Sequence, residues 1–259
     1  GQTSFSAGVS TMNQSTVGNA NGDPNDGNHA PAEYGDYYCG PVAAALAVKQ
    51  LYDHGLTSIM TDTGMLLTKE QVAERLAARF KTRANNGTID HRFFAGLRDY
   101  ALIMGDAASV GYDRNPSYFD IRVWAEEEGR VAMLGLSGTP GLWVTVDGFS
   151  GWLNADSTYN ITISNPLTGS LESTKIRNTL DGSELLVSGV WHPVDIMISL
   201  LSKLLTVSRT LIGADANGAN GWSINWTPSG VVEDNLYFFR ARGVNASGRE
   251  KPATIILQY

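Results

Sequence analysis

Cys39 is the only cysteine in the chain, and it opens the segment CGPVAAALAVKQLYDHG, which runs to Gly55. Pro41 suits a first helical turn and Gly55 suits a stop, so a helix is predicted to begin at the thiol. A helix N-terminus presents unpaired N–H groups and partial positive charge. Both favour a thiolate and draw its pKa down from about 8.5 towards neutrality. The chemistry suggested is nucleophilic catalysis by sulfur. The competing reading is a buried cysteine that packs as a small apolar side chain.

A thiolate nucleophile needs a base, and the chain has four histidines. His54 lies at the far end of the same predicted helix, about 20 Å from Cys39 at 1.5 Å per residue, so it cannot serve. His91 reads as the opening of another helix, and His192, in WHPVD, as a residue of a domain junction. His29 lies ten residues before Cys39 on a polar arm and is the histidine that the spacing leaves in play.

At 259 residues the chain has room for two domains. Its formal net charge is -7, with 19 Lys and Arg against 26 Asp and Glu, which leaves no basic footprint for nucleic acid. The most apolar run, residues 196–207, is interrupted by Ser199, Ser202 and Lys203 and is shorter than the roughly 20 residues a membrane span needs. One cysteine forms no internal disulfide. Abundant Asn, Gly, Ser and Thr, few charges and a first residue other than Met lead us to expect a secreted, processed chain.

Residues 1–33 are poor in large apolar groups and are expected to form an extended arm, held by backbone hydrogen bonds along the body or along a neighbouring copy. Asp23, Asp26 and Asn28 resemble part of a calcium loop but lack its remaining ligands, so a solvated turn is the expectation and no metal is called for. Thr68 and Gln71 form a capping box ahead of Val72, Leu76 and Phe80, which predicts a helix. Residues 89–104, with Phe93, Leu97, Ala101 and Met104 in helical register, and residues 117–128 predict two more. Short β-branched or aromatic runs at 130–136, 142–149, 159–164 and 185–190 predict strands. A helical first half and a strand-rich second half imply an α+β domain.

Four motifs in order, YYCGPVAAA, GRVAMLGL, LWVTVDGF and TISNPLTG, resemble the papain-like cysteine peptidases of the bacteriocin-processing-peptidase-like group, over residues of about 30–192. The resemblance implies a papain-like fold with Cys39 at the nucleophile position. Leu142 stands where that family has its general-base histidine, and leucine cannot accept a proton. Asn165, before Pro166, matches the residue that orients the base. The oxyanion-hole glutamine position falls near Glu33, whose carboxylate would repel a developing oxyanion.

From residue 193 onwards, GWSINWTPSGV and LYFFRARGVNASGR resemble a small bacterial immunoglobulin-like sandwich, with Trp226 in its core and Phe238 a candidate for an outer face. The expectation is therefore α+β: an arm at 1–33, a papain-like domain at 34–192, and an all-β immunoglobulin-like sandwich at 193–259. The expected function is that of a secreted, non-catalytic structural or binding subunit of an extracellular assembly. It would bind protein, peptide or copies of itself, without a cofactor, nucleic acid or a membrane span. The alternative is an active secreted cysteine peptidase that uses Cys39 with a base from the arm or a partner chain.

Overall fold

The computed structural model describes residues 4–17, 37–82, 87–105, 108–126, 129–138, 141–151, 153–203, 236–244 and 250–258. Contacts divide the chain into two compact units, Gly1–Thr206 and Val207–Tyr259.

The first unit is built on α1 (Cys39–Asp53), in which every residue from Cys39 to Val48 is buried. A helix apolar all round belongs in an interior, and the small side chains of Ala43, Ala44, Ala45 and Ala47 let neighbouring elements approach it closely. α2 (Lys69–Phe80) begins at the predicted capping box, with Thr68 accepting from the Gln71 N–H and Gln71 accepting from the Thr68 N–H, and buries Val72, Leu76 and Phe80. α3 (Asp90–Ile103) buries Phe93, Leu97, Tyr100 and Ala101. α4 (Tyr118–Glu126) carries a buried ion pair in which Arg122 Nε donates to Glu126 Oε1 at 2.8 Å.

Six strands close into an antiparallel barrel: β5 (Arg130–Leu136), β6 (Leu142–Ser150), β7 (Tyr159–Asn165), β8 (Ser170–Thr179), β9 (Gly182–Val187) and β10 (Val190–Ser202). The order around it is β6-β5-β10-β9-β8-β7, with β7 returning to β6. Two further strands attach to it, β1 (Ser4–Ser6) on β6 and β4 (Ala108–Arg114) on β10. A separate hairpin pairs β2 (Thr61–Asp62) with β3 (Met65–Leu66). Among the described residues there are four α-helices, and no helix is long and apolar enough to cross a membrane.

This architecture corrects the expected papain-like fold followed by an immunoglobulin-like sandwich. The physical reason lies largely in β10, whose thirteen residues pair with β9 at Val190–Pro193, with β5 at Val194–Leu201 and with β4 at Ile196–Ser202. Ile196, Met197, Ile198 and Leu200 are buried in the barrel unit and do not start a second domain, so the expected boundary after residue 192 falls inside a strand. The described part of the second unit is one antiparallel pair, β11 (Leu236–Val244) with β12 (Glu250–Gln258), in register from Leu236 opposite Gln258 to Val244 opposite Glu250. Trp226 lies outside the described residues.

Residues 4–17 of the expected arm lie on the first unit's own body. After β1, the Ala7 N–H donates to the Asp147 carbonyl at 2.6 Å and the Val9 N–H to Asp147 Oδ1 at 2.8 Å. The Gln14 N–H then reaches the Pro166 carbonyl at 2.9 Å, and Val9, Met12 and Val17 are buried. Asp147 is the extra residue of a β-bulge, since the β6–β7 register passes from Val146 opposite Ile163 to Gly148 opposite Thr162. A bulge re-aims a side chain, and this one turns a carboxylate, 4% exposed, onto the arm.

The next residue, Gly148, has no room for a side chain, because a Cβ there would lie 2.0 Å from the Phe5 carbonyl oxygen. Gly148→Ala is expected to cost about 1–3 kcal/mol in denaturant unfolding and to release β1. Faster hydrogen exchange at the amides of Ala7 and Val9 would report that release. Unchanged protection of both amides would show that the arm is not held through β6.

Candidate functional site

Cys39 is the first residue of α1, following Tyr38, whose side chain makes no capping bond to the helix. Cys39 is 6% exposed. Burial pushes its pKa up, and the opposing pull of the backbone N–H groups of Trp143 and Gly40 is the smaller effect. The expected low-pKa thiol is therefore reversed: the helix terminus is present, but burial of the sulfur outweighs it.

Described residues pack closely against the helix start. A Cβ on Gly40 would meet Thr88 Oγ1 at 2.7 Å, so Thr88 lies against the first turn. The Thr88 carbonyl accepts from Trp143 Nε1 at 3.3 Å, and its hydroxyl lies 2.8 Å from that of Thr82. Trp143 stacks on Phe93 with centroids 4.0 Å apart, and Phe93 stacks on Phe80 at 4.6 Å. On the β6 side, Thr145 Oγ1 donates to the Ala43 carbonyl at 2.9 Å and ties the strand to the helix.

Leu142 begins β6 opposite Leu136 and is buried as an ordinary apolar core residue. Asn165 ends β7, one residue beyond the Ser164–Thr145 pair, so the strands bring it towards the same end as Leu142. Its side chain is committed elsewhere. Oδ1 accepts from the Leu167 N–H at 3.0 Å, and Nδ2 donates to Glu172 Oε2 at 2.8 Å. Both bonds fix the turn between β7 and β8, where the resemblance implied orientation of an imidazole. Glu33, His29, Asp23, Asp26 and Asn28 lie outside the described residues.

The described histidines serve other places. His54 follows the C-terminus of α1, with Nε2 2.9 Å from Gln50 Nε2. His91 is exposed in the first turn of α3. His192 sits on β10 with Nδ1 3.3 Å from the Ser137 carbonyl oxygen, inside the barrel unit and not at a domain junction. Among the described residues no group of three His, Cys, Asp or Glu side chains could hold a metal ion.

Thr88 and Trp143, which fill the ground beside Cys39, were not singled out from the sequence, because neither has a chemical signature apart from its neighbours in space. Asp147 did carry a signal, as the lone acid within the apolar strand LWVTVDGF. No protein-family model matches the chain, and no curated protein matches it significantly in sequence.

Two outcomes follow for the thiol. Iodoacetamide should alkylate Cys39 slowly in the folded protein and rapidly in denaturant, with a folded-state rate that keeps rising above pH 8.5; a fast plateau persisting down to pH 5 would contradict this. The same burial makes stability pH-dependent. An unfolded thiol ionises near about 8.5 while the folded one keeps its proton, so this stability is intact below that pH and is lost as pH rises towards the folded value. The alkaline fall in unfolding midpoint should be shallower in Cys39→Ala.

Proposed function

We propose that this chain is a non-catalytic structural or binding protein that works outside the cell, with the helix resembling a peptidase nucleophile helix used as a core element. The observation that carries the reading is the state of Cys39: buried, pushed towards the neutral thiol, with the Trp143 backbone at the sulfur and Thr88 against the next residue, Gly40. Acyl transfer by sulfur needs a thiolate, a base to manage protons and an orienter for that base. Leu142 supplies no base, and Asn165 spends both ends of its amide on the β7–β8 turn. The polar, lightly charged composition supports an extracellular setting, and the acidic balance supports protein or peptide partners over nucleic acid.

The test is a cysteine-directed activity probe applied to the folded protein beside Cys39→Ala. Equal, background labelling of the two is expected. Strong labelling of the native chain that the substitution abolishes would overturn the proposal. Leu142→His should likewise produce no turnover of a peptide substrate, because an imidazole at this buried strand position still meets a protonated thiol and an amide already committed. It should cost roughly 1–3 kcal/mol of stability for the buried polar ring. Peptide hydrolysis by that variant would show that the base was the only missing part.

A further inference from the structure

β4 forms one edge of the sheet in the first unit. Among the described residues it pairs with β10 alone, which leaves the main-chain groups of its other side without a strand. Exposed edges are commonly blunted by Pro, Lys or a bulge, yet ASVGYDR has neither residue and runs seven residues in unbroken register from Ala108 opposite Ser202 to Arg114 opposite Ile196.

Between α3 and the first residues of this strand lies an open groove of about 470 Å³, walled by Ala95, Arg98 and Leu102 of α3, by Ala108 and Val110 of β4 and by Lys203, which follows β10. Leu102 of this groove is 60% exposed, and two further large apolar side chains of the same two elements, Ile103 and Tyr112, are 59% and 55% exposed. A strand edge beside a helix with apolar side chains in reach is the arrangement that takes up an extended peptide by β-addition, in which the main chain supplies affinity and alternate side chains supply selectivity.

Charge narrows the occupant. Of the two ionic side chains that α3 gives to the groove, Asp99 is turned to Arg79, with Oδ2 3.5 Å from Nε. Arg98 makes no ion pair among the described residues. Its guanidinium lies 5.9 Å over the ring of Phe94, which meets Tyr112 of β4 edge-on at 5.0 Å, so an aromatic pair links the cation to the strand. A guanidinium so placed beside an edge strand suits a carboxylate on the incoming chain. We infer that the β4 edge and the α3 groove bind an extended peptide segment with apolar residues on alternate positions and a glutamate or aspartate side chain opposite Arg98.

This inference deepens the binding half of the proposed function and does not involve Cys39, so its failure would leave the thiol results untouched. The probe is a fluorescein-labelled peptide of about nine residues, acetylated and amidated, alternating threonine and valine around one central glutamate, long enough to cover a strand of this length. Fluorescence anisotropy with the full chain should give saturable binding that weakens with salt, as an exposed charge pair does. Arg98→Glu, or glutamine in place of the peptide's glutamate, should each weaken binding at least fivefold. Ala95→Trp, which fills the groove from an exposed helical position, should abolish it.

Hydrogen exchange should show new protection in residues 108–114 on binding. Unchanged unfolding midpoints for the two variants would separate lost binding from lost folding. Absence of saturable binding, protection confined to other strands, or binding indifferent to Arg98→Glu would each overturn the inference. So would self-association of the chain through β4 that excludes the peptide, since the occupant would then be a second copy.

Discussion

The constraint on which the first unit depends is the burial of α1 from its first residue. A helix terminus favours a nearby anion by about 0.3–1 kcal/mol at exposed sites, up to about 2 when partly buried. Full burial can shift an ionisable group by up to about 3–5 pKa units, each worth about 1.4 kcal/mol. At Cys39 the second effect is the larger, and the thiol moves up. The same helix start that would lower a thiol pKa at a solvated cleft is outweighed once the sulfur is buried against the Trp143 backbone. The alanines of α1 serve this packing, because small side chains let β6 come near enough for Thr145 to bond the helix carbonyl of Ala43.

Barrel closure follows from the need to leave few strand edges free. β10 does most of this, using different stretches of one strand to pair with β9, β5 and β4. On the other side, the bulge at Asp147 bends β6 so that it can serve β5, β7 and β1 in turn. The arm is held there by geometry and by a single carboxylate, with a glycine at the one place where the two backbones come too close for a side chain. A segment poor in apolar residues can thus be ordered by main-chain bonds and three buried apolar side chains, Val9, Met12 and Val17.

Local structure was legible in the sequence wherever one element decides its own form. The capping box at Thr68, the helical periods after Ile89 and Ser117, and the runs at 130–136, 142–149 and 159–164 all correspond to observed elements. β8 was not legible, because SLESTKIRNT faces solvent along most of its length and buries only Ile176, so no alternation marks it. β10 was misread because a continuous apolar run has no period from which its partners can be inferred. Strand pairing is a property of several segments at once. Four motifs in a familiar order constrain which elements exist far better than how they close, which is why the resemblance did not deliver the expected fold.

The same distinction applies to the candidate site. Residue type placed Cys39 at a helix start and Leu142 at a strand start, both correctly. What type and order could not convey is where the remaining hydrogen bonds go. Asn165 is the instructive case, since an amide next to a catalytic imidazole and an amide pinning a turn look alike in sequence. The difference is whether Leu167 and Glu172 claim its two ends first. A buried amide must satisfy both its donor and its acceptor. Once Asn165 has done so within the β7–β8 turn, the plane of its amide is fixed by Leu167 and Glu172, and the direction of any further bond is set by that turn. The three positions that the resemblance singled out are therefore claimed by the fold itself: Leu142 by the core, Asn165 by the β7–β8 turn, and Cys39 by the buried start of α1. Each of these side chains is thus explained by packing or hydrogen bonding that the folded unit uses in its own right.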